Sequence, residues 1–218
     1  MKRNILAVTA FLLAGTVIFT SCKKDDITDP VVTLNGNSEM TVSLQGTFTD
    51  PGATADDNKD GAITPTTTGS VNTNLKGVYE ITYTATDAAG NSASVTRRVT
   101  VVNDADGLNG SYSVAGTQTA GGSGTYTYTQ NITASTTRNN RIIFGKFGDY
   151  AGNTSIYADI IGGSSIDMPS QTAIMVGNPA ANRTFSGTGN KSGSTLTLTY
   201  TEVTAGGGGT FQEIMTKQ

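Results

Sequence analysis

A chain of 218 residues with 14% charged side chains and a formal net charge of −3 has room for two ordinary domains of about 100 to 150 residues. It lacks the clustered Lys and Arg that nucleic acid requires, so nucleic acid is not an expected partner. The sequence holds no histidine, no tryptophan and one cysteine, which excludes Ser-His-Asp and Cys-His nucleophilic sites, imidazole-held zinc and an internal disulfide. The 27 glycines and the abundance of Thr, Ser, Val and Tyr predict an all-β protein.

The first segment reads as a signal peptide rather than a structural helix. Lys2 and Arg3 precede an apolar run from Ile5 to Phe19 that stops at Thr20-Ser21-Cys22, and the run is shorter than the ~20 residues a membrane-spanning helix needs. The alternative is an uncleaved anchor with an incidental cysteine. The pattern resembles the bacterial lipoprotein processing site, which implies cleavage after residue 21 and acylation of Cys22 as the attachment to the membrane. Lys23-Lys24-Asp25-Asp26 resembles the tag that carries some lipoproteins to the outer face of the outer membrane. Residues 22–29 are then an acylated tether.

A first domain is expected over residues 30–102. Tyr79, Ile81, Tyr83 and Ala85 alternate with Glu80, Thr82 and Thr84, the period of a half-buried strand. Ala88-Ala89-Gly90-Asn91 supplies a turn, and Ala93, Val95, Val99 and Val101 resume the alternation. Arg97 falls on the apolar parity, so a bulge or an edge position is predicted there. Further strands are expected at Val31 to Leu34, Met40 to Phe48 and Ile63 to Thr67, a spacing that suggests a sandwich. Tyr79, two positions before Ile81, sits where a tyrosine corner would.

The segments Phe48-Thr49-Asp50-Pro51-Gly52-Ala53, Asp60-Gly61-Ala62-Ile63-Thr64, Gly77-Val78-Tyr79 and Tyr83-Thr84-Ala85-Thr86-Asp87-Ala88-Ala89-Gly90-Asn91 resemble the bacterial surface immunoglobulin-like domain, related to the HYR-type repeat. The resemblance implies a spacer or adhesion module without catalysis of its own. Asp56, Asn58 and Asp60 match the first half of a calcium loop, but Thr67 stands where the bidentate Glu belongs. Two readings stay open for them: weak calcium affinity, or a polar turn capping its own backbone. No other cofactor is expected.

After a short polar linker at residues 103–107, a second domain is expected over residues 108–218. About eight antiparallel strands are predicted, closing as an up-and-down barrel or folding as a sandwich. Gly110-Ser111-Tyr112, Phe147-Gly148-Asp149, Ile166 to Gln171, Phe185-Ser186-Gly187 and Lys217 resemble the lipocalin-like C-terminal domains of secreted bacterial lipoproteins. Gly187 to Ser192 reads as a hairpin turn rather than a phosphate loop. Asp149, Tyr150 and Gln171 are the candidate ligand contacts, placed on loops that interrupt the strand pattern.

Three functions are weighed. The first is a non-catalytic surface lipoprotein whose immunoglobulin-like spacer presents a barrel that binds an extracellular glycan or protein. The second is a hydrolase using two carboxylates among Asp149, Asp159, Asp167, Glu202 and Glu213. The third is a purely structural envelope protein. The lipid attachment is directly testable: Cys22→Ala is expected to abolish metabolic labelling with palmitate, and persistent label would reject Cys22 as the acylation site.

Overall fold

The computed structural model describes residues 25–148, 156–175 and 181–218, so Cys22 and its processing site lie outside them. The N-terminal domain is a seven-stranded sandwich. One sheet joins β1 (Val31–Leu34), β3 (Ala53–Asp57) and β4 (Gly61–Ile63); the other orders β2 (Glu39–Ser43), β7 (Ser92–Val102), β6 (Gly77–Thr86) and β5 (Thr66–Thr68) as β2-β7-β6-β5. β2 runs parallel to β7, and the other pairs are antiparallel. Ile81, Tyr83 and Val99 form the buried centre, with Val32, Leu34, Met40, Val42, Phe48 and Ala53 packed on it from both sheets. The run predicted as one strand from Ile63 to Thr67 is divided between the two sheets around Thr64-Pro65.

The tyrosine corner is present: the Tyr79 hydroxyl donates to the Leu75 carbonyl at 2.7 Å, and Ile81, in the place of a core cysteine, is buried. Arg97 corrects the sequence reading. It lies in unbroken register on β7, which is interior to its sheet, and its side chain is 0% exposed. Every guanidinium nitrogen donates. Nε bonds the Asn37 carbonyl at 3.0 Å, Nη1 bonds Asp50 and the Tyr83 hydroxyl, and Nη2 bonds the carbonyls of Asn35 at 2.6 Å and Gly52 at 3.2 Å. A buried guanidinium is tolerated only when paired and hydrogen-bonded.

The Asp50-Pro51-Gly52 segment is therefore a socket for Arg97. Gly52 adopts φ +79°, a conformation that glycine reaches without steric cost. Its N–H donates to Asp50 Oδ1 at 3.1 Å, while its carbonyl accepts from Arg97 and from the Asn35 N–H. Tyr83 closes the group by donating its hydroxyl to Asp50 at 2.5 Å. Burial, then Asp50, push the Tyr83 phenol up to about 12.

The C-terminal domain is a closed antiparallel barrel of eight strands in simple meander order: β8 (Gly110–Ala120), β9 (Gly124–Ala134), β10 (Arg141–Phe144), β11 (Tyr157–Ile161), β12 (Ser165–Met175), β13 (Ala181–Ser192), β14 (Thr195–Thr204) and β15 (Gly207–Lys217), with β15 pairing back to β8. Of the two closures anticipated, the barrel is the one adopted; closure leaves no edge to template further pairing. Gly187 to Ser192 is not a turn. It is the second half of β13, where a Cβ on Gly187 or Gly189 would stand 2.3 or 2.1 Å from carbonyl oxygens of β14, so the strands' close approach requires glycine.

The expected linker is an ordered joint. Asn103 is buried; its Nδ2 donates to the carbonyls of Ser135 and Arg138 at 2.8 Å each, and its Oδ1 accepts from Ala105 and Asn140 N–H groups. The Lys76 N–H donates to the Thr136 carbonyl, and Lys76 Nζ pairs with Asp106 at 2.5 Å. A 3-10 turn, Asp106–Leu108, then drives Leu108 into the barrel core.

Replacing Arg97 by Ala is expected to cost about 3 to 5 kcal/mol in denaturant unfolding, because Asp50 loses its cation and the Asn35 and Asn37 carbonyls lose their guanidinium donor, and Lys, lacking the fork, will not restore it. Burial alone would raise the Asp50 carboxyl. Hydrogen bonds from Tyr83 and Gly52, with the Arg97 charge, instead hold it below its ordinary value. That stabilisation is present above the usual carboxylate range and is lost as pH falls through the lowered value. Asp50→Asn should flatten this acid limb of the stability curve, and an unchanged limb would assign it elsewhere.

Candidate functional site

The barrel interior is filled. Inward residues of all eight strands, among them Tyr112, Ile132, Ile142, Phe144, Phe185, Leu196, Leu198 and Met215, are fully buried in one cluster. Phe147 joins it from the segment after β10, with its ring centroid 5.1 Å from Phe144, 5.3 Å from Phe185 and 4.7 Å from Tyr200. The segment expected to meet a ligand thus begins with a core anchor. The next residue, Gly148, donates its N–H to the Tyr128 hydroxyl at 3.1 Å. Asp149 and Tyr150 lie outside the described residues.

Within this core sits a carboxylate. Glu213 on β15 is 0% exposed and accepts from three phenols: Tyr126 at 3.0 Å, Tyr128 at 3.0 Å to both oxygens, and Tyr200 at 3.2 Å. Burial first, then the Glu213 charge, push all three phenols above their ordinary range. They are held as donors that satisfy the carboxylate.

Two further candidate carboxylates are also engaged. Glu202, buried on β14, pairs with Arg183, and Asp159 takes Arg141 in a two-pronged bond at 2.7 and 2.8 Å. Arg141 also lies 3.6 Å over the Tyr157 ring. Register sets Asp159 directly opposite Asp167, and the buried Glu202 and Glu213 both act on the Tyr126 phenol. Asp159 and Asp167 are half-buried on the outer wall. Asp167 borders a groove of about 580 Å³ on that wall, with Thr188, Asn190, Thr199 and Gln212. A second cleft, about 670 Å³, lies at the domain joint and is lined by Asp104, Leu108, Asn140, Ile160 and Lys191. Both volumes fall in the range of small-ligand sites.

Gln171 is placed differently from the sequence reading. The stretch from Ile166 to Gln171 is not a loop but part of β12, with the register to β13 shifting between Met168 and Gln171. Pro169 has no N–H for the ladder. The Gln171 side chain repairs the gap: its Oε1 accepts the Tyr157 N–H at 3.0 Å and its Nε2 donates to the Tyr157 carbonyl at 2.7 Å.

The calcium-loop candidates also diverge. Asp56 and Asn58 are exposed on and just after β3, while Asp60 Oδ2 accepts the Ala88 N–H at 2.6 Å. Asp57, which the motif skips, is the buried member.

The sandwich, its tyrosine corner and its Asp50-Gly52 socket occupy a stretch that a family model also matches: residues 32–101 fit the family described as bacterial surface protein, Ig-like domain. Over that stretch the N-terminal domain is similar to a bacterial surface Ig-like domain. The barrel lies beyond that match. Among solved structures, a lipoprotein from Bacteroides thetaiotaomicron aligns at 20% identity and a TM-score of 0.34, over 87% of this chain and 100% of that one. No curated protein matches the chain.

The Gln171 geometry yields a direct test. Gln171→Ala orphans two backbone groups of Tyr157, each costing about 1 to 3 kcal/mol when buried, so a clear fall in melting temperature is expected. A variant with unchanged stability would show that the ladder repair contributes nothing.

Proposed function

We propose that the protein is a non-catalytic cell-surface lipoprotein, held by acylated Cys22, in which the Ig-like domain carries a barrel that binds an extracellular ligand. The observation that carries this reading is the engagement of the described carboxylates Asp159, Glu202 and Glu213 by internal partners in a barrel whose interior is packed with side chains. Glycoside hydrolysis by a carboxylate pair needs one acid kept protonated and its partner ionised across a substrate cleft. Asp159, forked by Arg141, is poorly suited to the first role, and Asp159 and Asp167 face outward on a wall rather than across a cleft. Binding asks less of the same scaffold.

A glycan is the ligand class we favour. The outer groove offers the hydroxyls and amides of Thr188, Asn190, Thr199 and Gln212 beside the Asp167 carboxylate, the groups that meet sugar hydroxyls. Asp149 and Tyr150, in the segment anchored by Phe147, would add a carboxylate and a stacking ring. The outer membrane is the location we infer from the signal segment and the tag after Cys22.

The test is a glycan-array screen of the chain from residue 23 to residue 218. Binding to a defined glycan is expected, at least tenfold weaker in Asp149→Ala/Tyr150→Ala or in Asp167→Ala/Gln212→Ala, with melting temperature unchanged. Gln171 is left intact in both because its loss alters the fold. Turnover of any arrayed glycan would overturn the non-catalytic reading, and binding that survives both variants would move the site elsewhere.

A further inference from the structure

Asp57 at the end of β3, Asp87 just past β6, and Asp26 in the segment leading to β1 each bring a carboxylate oxygen within 4.8 Å of the other two. All three are sheltered. Asp57 and Asp87 are buried, and the Asp26 side chain is 9% exposed. Asn91 ties the group together: its N–H donates to Asp87 Oδ1 at 2.8 Å, and its Nδ2 donates both to Asp87 Oδ2 at 2.7 Å and to the Asp26 carbonyl at 3.1 Å. Asp57 Oδ1 accepts the N–H groups of Lys59 and Asp60, each at 2.9 Å.

The other oxygen of Asp57 distinguishes this cluster from a chance gathering of acids. Asp57 Oδ2 is sealed from solvent and has no hydrogen-bond partner. A buried carboxylate oxygen without a donor has lost its hydration and gained nothing in exchange. Charge points the same way. Lys59 Nζ stands 3.6 Å from Asp26 Oδ2 on a side chain 42% exposed, and one ammonium against the three carboxylates leaves two negative charges in excess. The N–H groups of Asp60 and then Lys59 hold the Asp57 carboxyl below its usual range. At Asp87, burial acts to raise the carboxyl, but hydrogen bonds from Asn91 and from the Gly90 and Ala89 N–H groups outweigh it and hold it low as well.

We propose that Asp26, Asp57 and Asp87 bind a calcium ion that fastens the segment following the lipid attachment to the base of the Ig-like domain. An all-oxygen, anionic set with no nitrogen or sulfur selects a hard cation. Oxygens spread within 4.8 Å suit Ca–O distances of about 2.3 to 2.6 Å. Magnesium demands tighter octahedral geometry at shorter distances and is seldom held by an all-protein carboxylate set. The ligands come from three separate segments, so the ion acts as a clamp between the chain's lead-in and two turns of the sandwich. This site shares no residue with the Asp56, Asn58 and Asp60 half-motif, and it does not depend on what the barrel binds.

The test is isothermal titration with calcium chloride, with thermal unfolding alongside, on the chain from residue 23 to residue 218. One calcium is expected to bind with a dissociation constant at or below the ~10⁻³ M of extracellular modules and to raise the melting temperature by mass action. Asp57→Asn keeps the bonds from Lys59 and Asp60 and should weaken calcium at least tenfold. Asp26→Asn lies outside every strand, so it decides the matter if the Asp57 variant does not fold. Asp56→Asn should leave binding unchanged. Absence of heat and of any melting shift up to about 10 mM calcium, equal binding by the Asp26 variant, or an equal response to magnesium would each overturn the proposal.

Discussion

The sandwich is organised around a charge rather than a disulfide. Arg97 projects between the sheets from β7 and gathers the carbonyls of Asn35, Asn37 and Gly52, the Asp50 carboxylate and the Tyr83 hydroxyl. These partners belong to the loop after β1, the loop before β3 and the strand β6, so one side chain fixes the relative placement of both sheets. An apolar residue of similar volume would remove the desolvation cost. It would also take the guanidinium donor from the Asn35 and Asn37 carbonyls and the counter-charge from Asp50, so the loops would lose what holds their present course.

The barrel meets a similar problem in its own core. Glu213 accepts from three phenols, two of which, Tyr126 and Tyr200, also bond each other at 3.1 Å. Around this polar knot the rings of Phe147, Phe185, Tyr200 and Phe211 pack at centroid distances of 4.7 to 6.1 Å. A core built this way fills the described part of the barrel interior with side chains.

Much of the architecture was legible in the sequence because period-two alternation is a local signal. The β6–β7 hairpin, its turn at Ala88 to Asn91, and the parity of β14 follow directly from it. The failures share a cause, for each depends on a partner far along the chain. Arg97 breaks the parity rule until Asp50 and Tyr83 are brought beside it. Gln171 looked like a loop residue because nothing local reveals that Pro169 deprives Tyr157 of a ladder partner. The short motif selects Asp56 and Asp60 by spacing, whereas the burial of Asp57 is decided by which side of β3 faces the core. Glu213 gave a signal that was not used: it shares parity with Phe211 and Met215.

The joint at Asn103 has a mechanical consequence. β7 feeds straight into it, and its hydrogen bonds to Ser135, Arg138 and Asn140, with the Lys76 links to Thr136 and Asp106, lie side by side across one short span. Opening the joint would strip several polar groups of their partners at once, each costing about 1 to 3 kcal/mol where it stays buried, so the two domains are coupled through hydrogen bonds rather than through a slack tether.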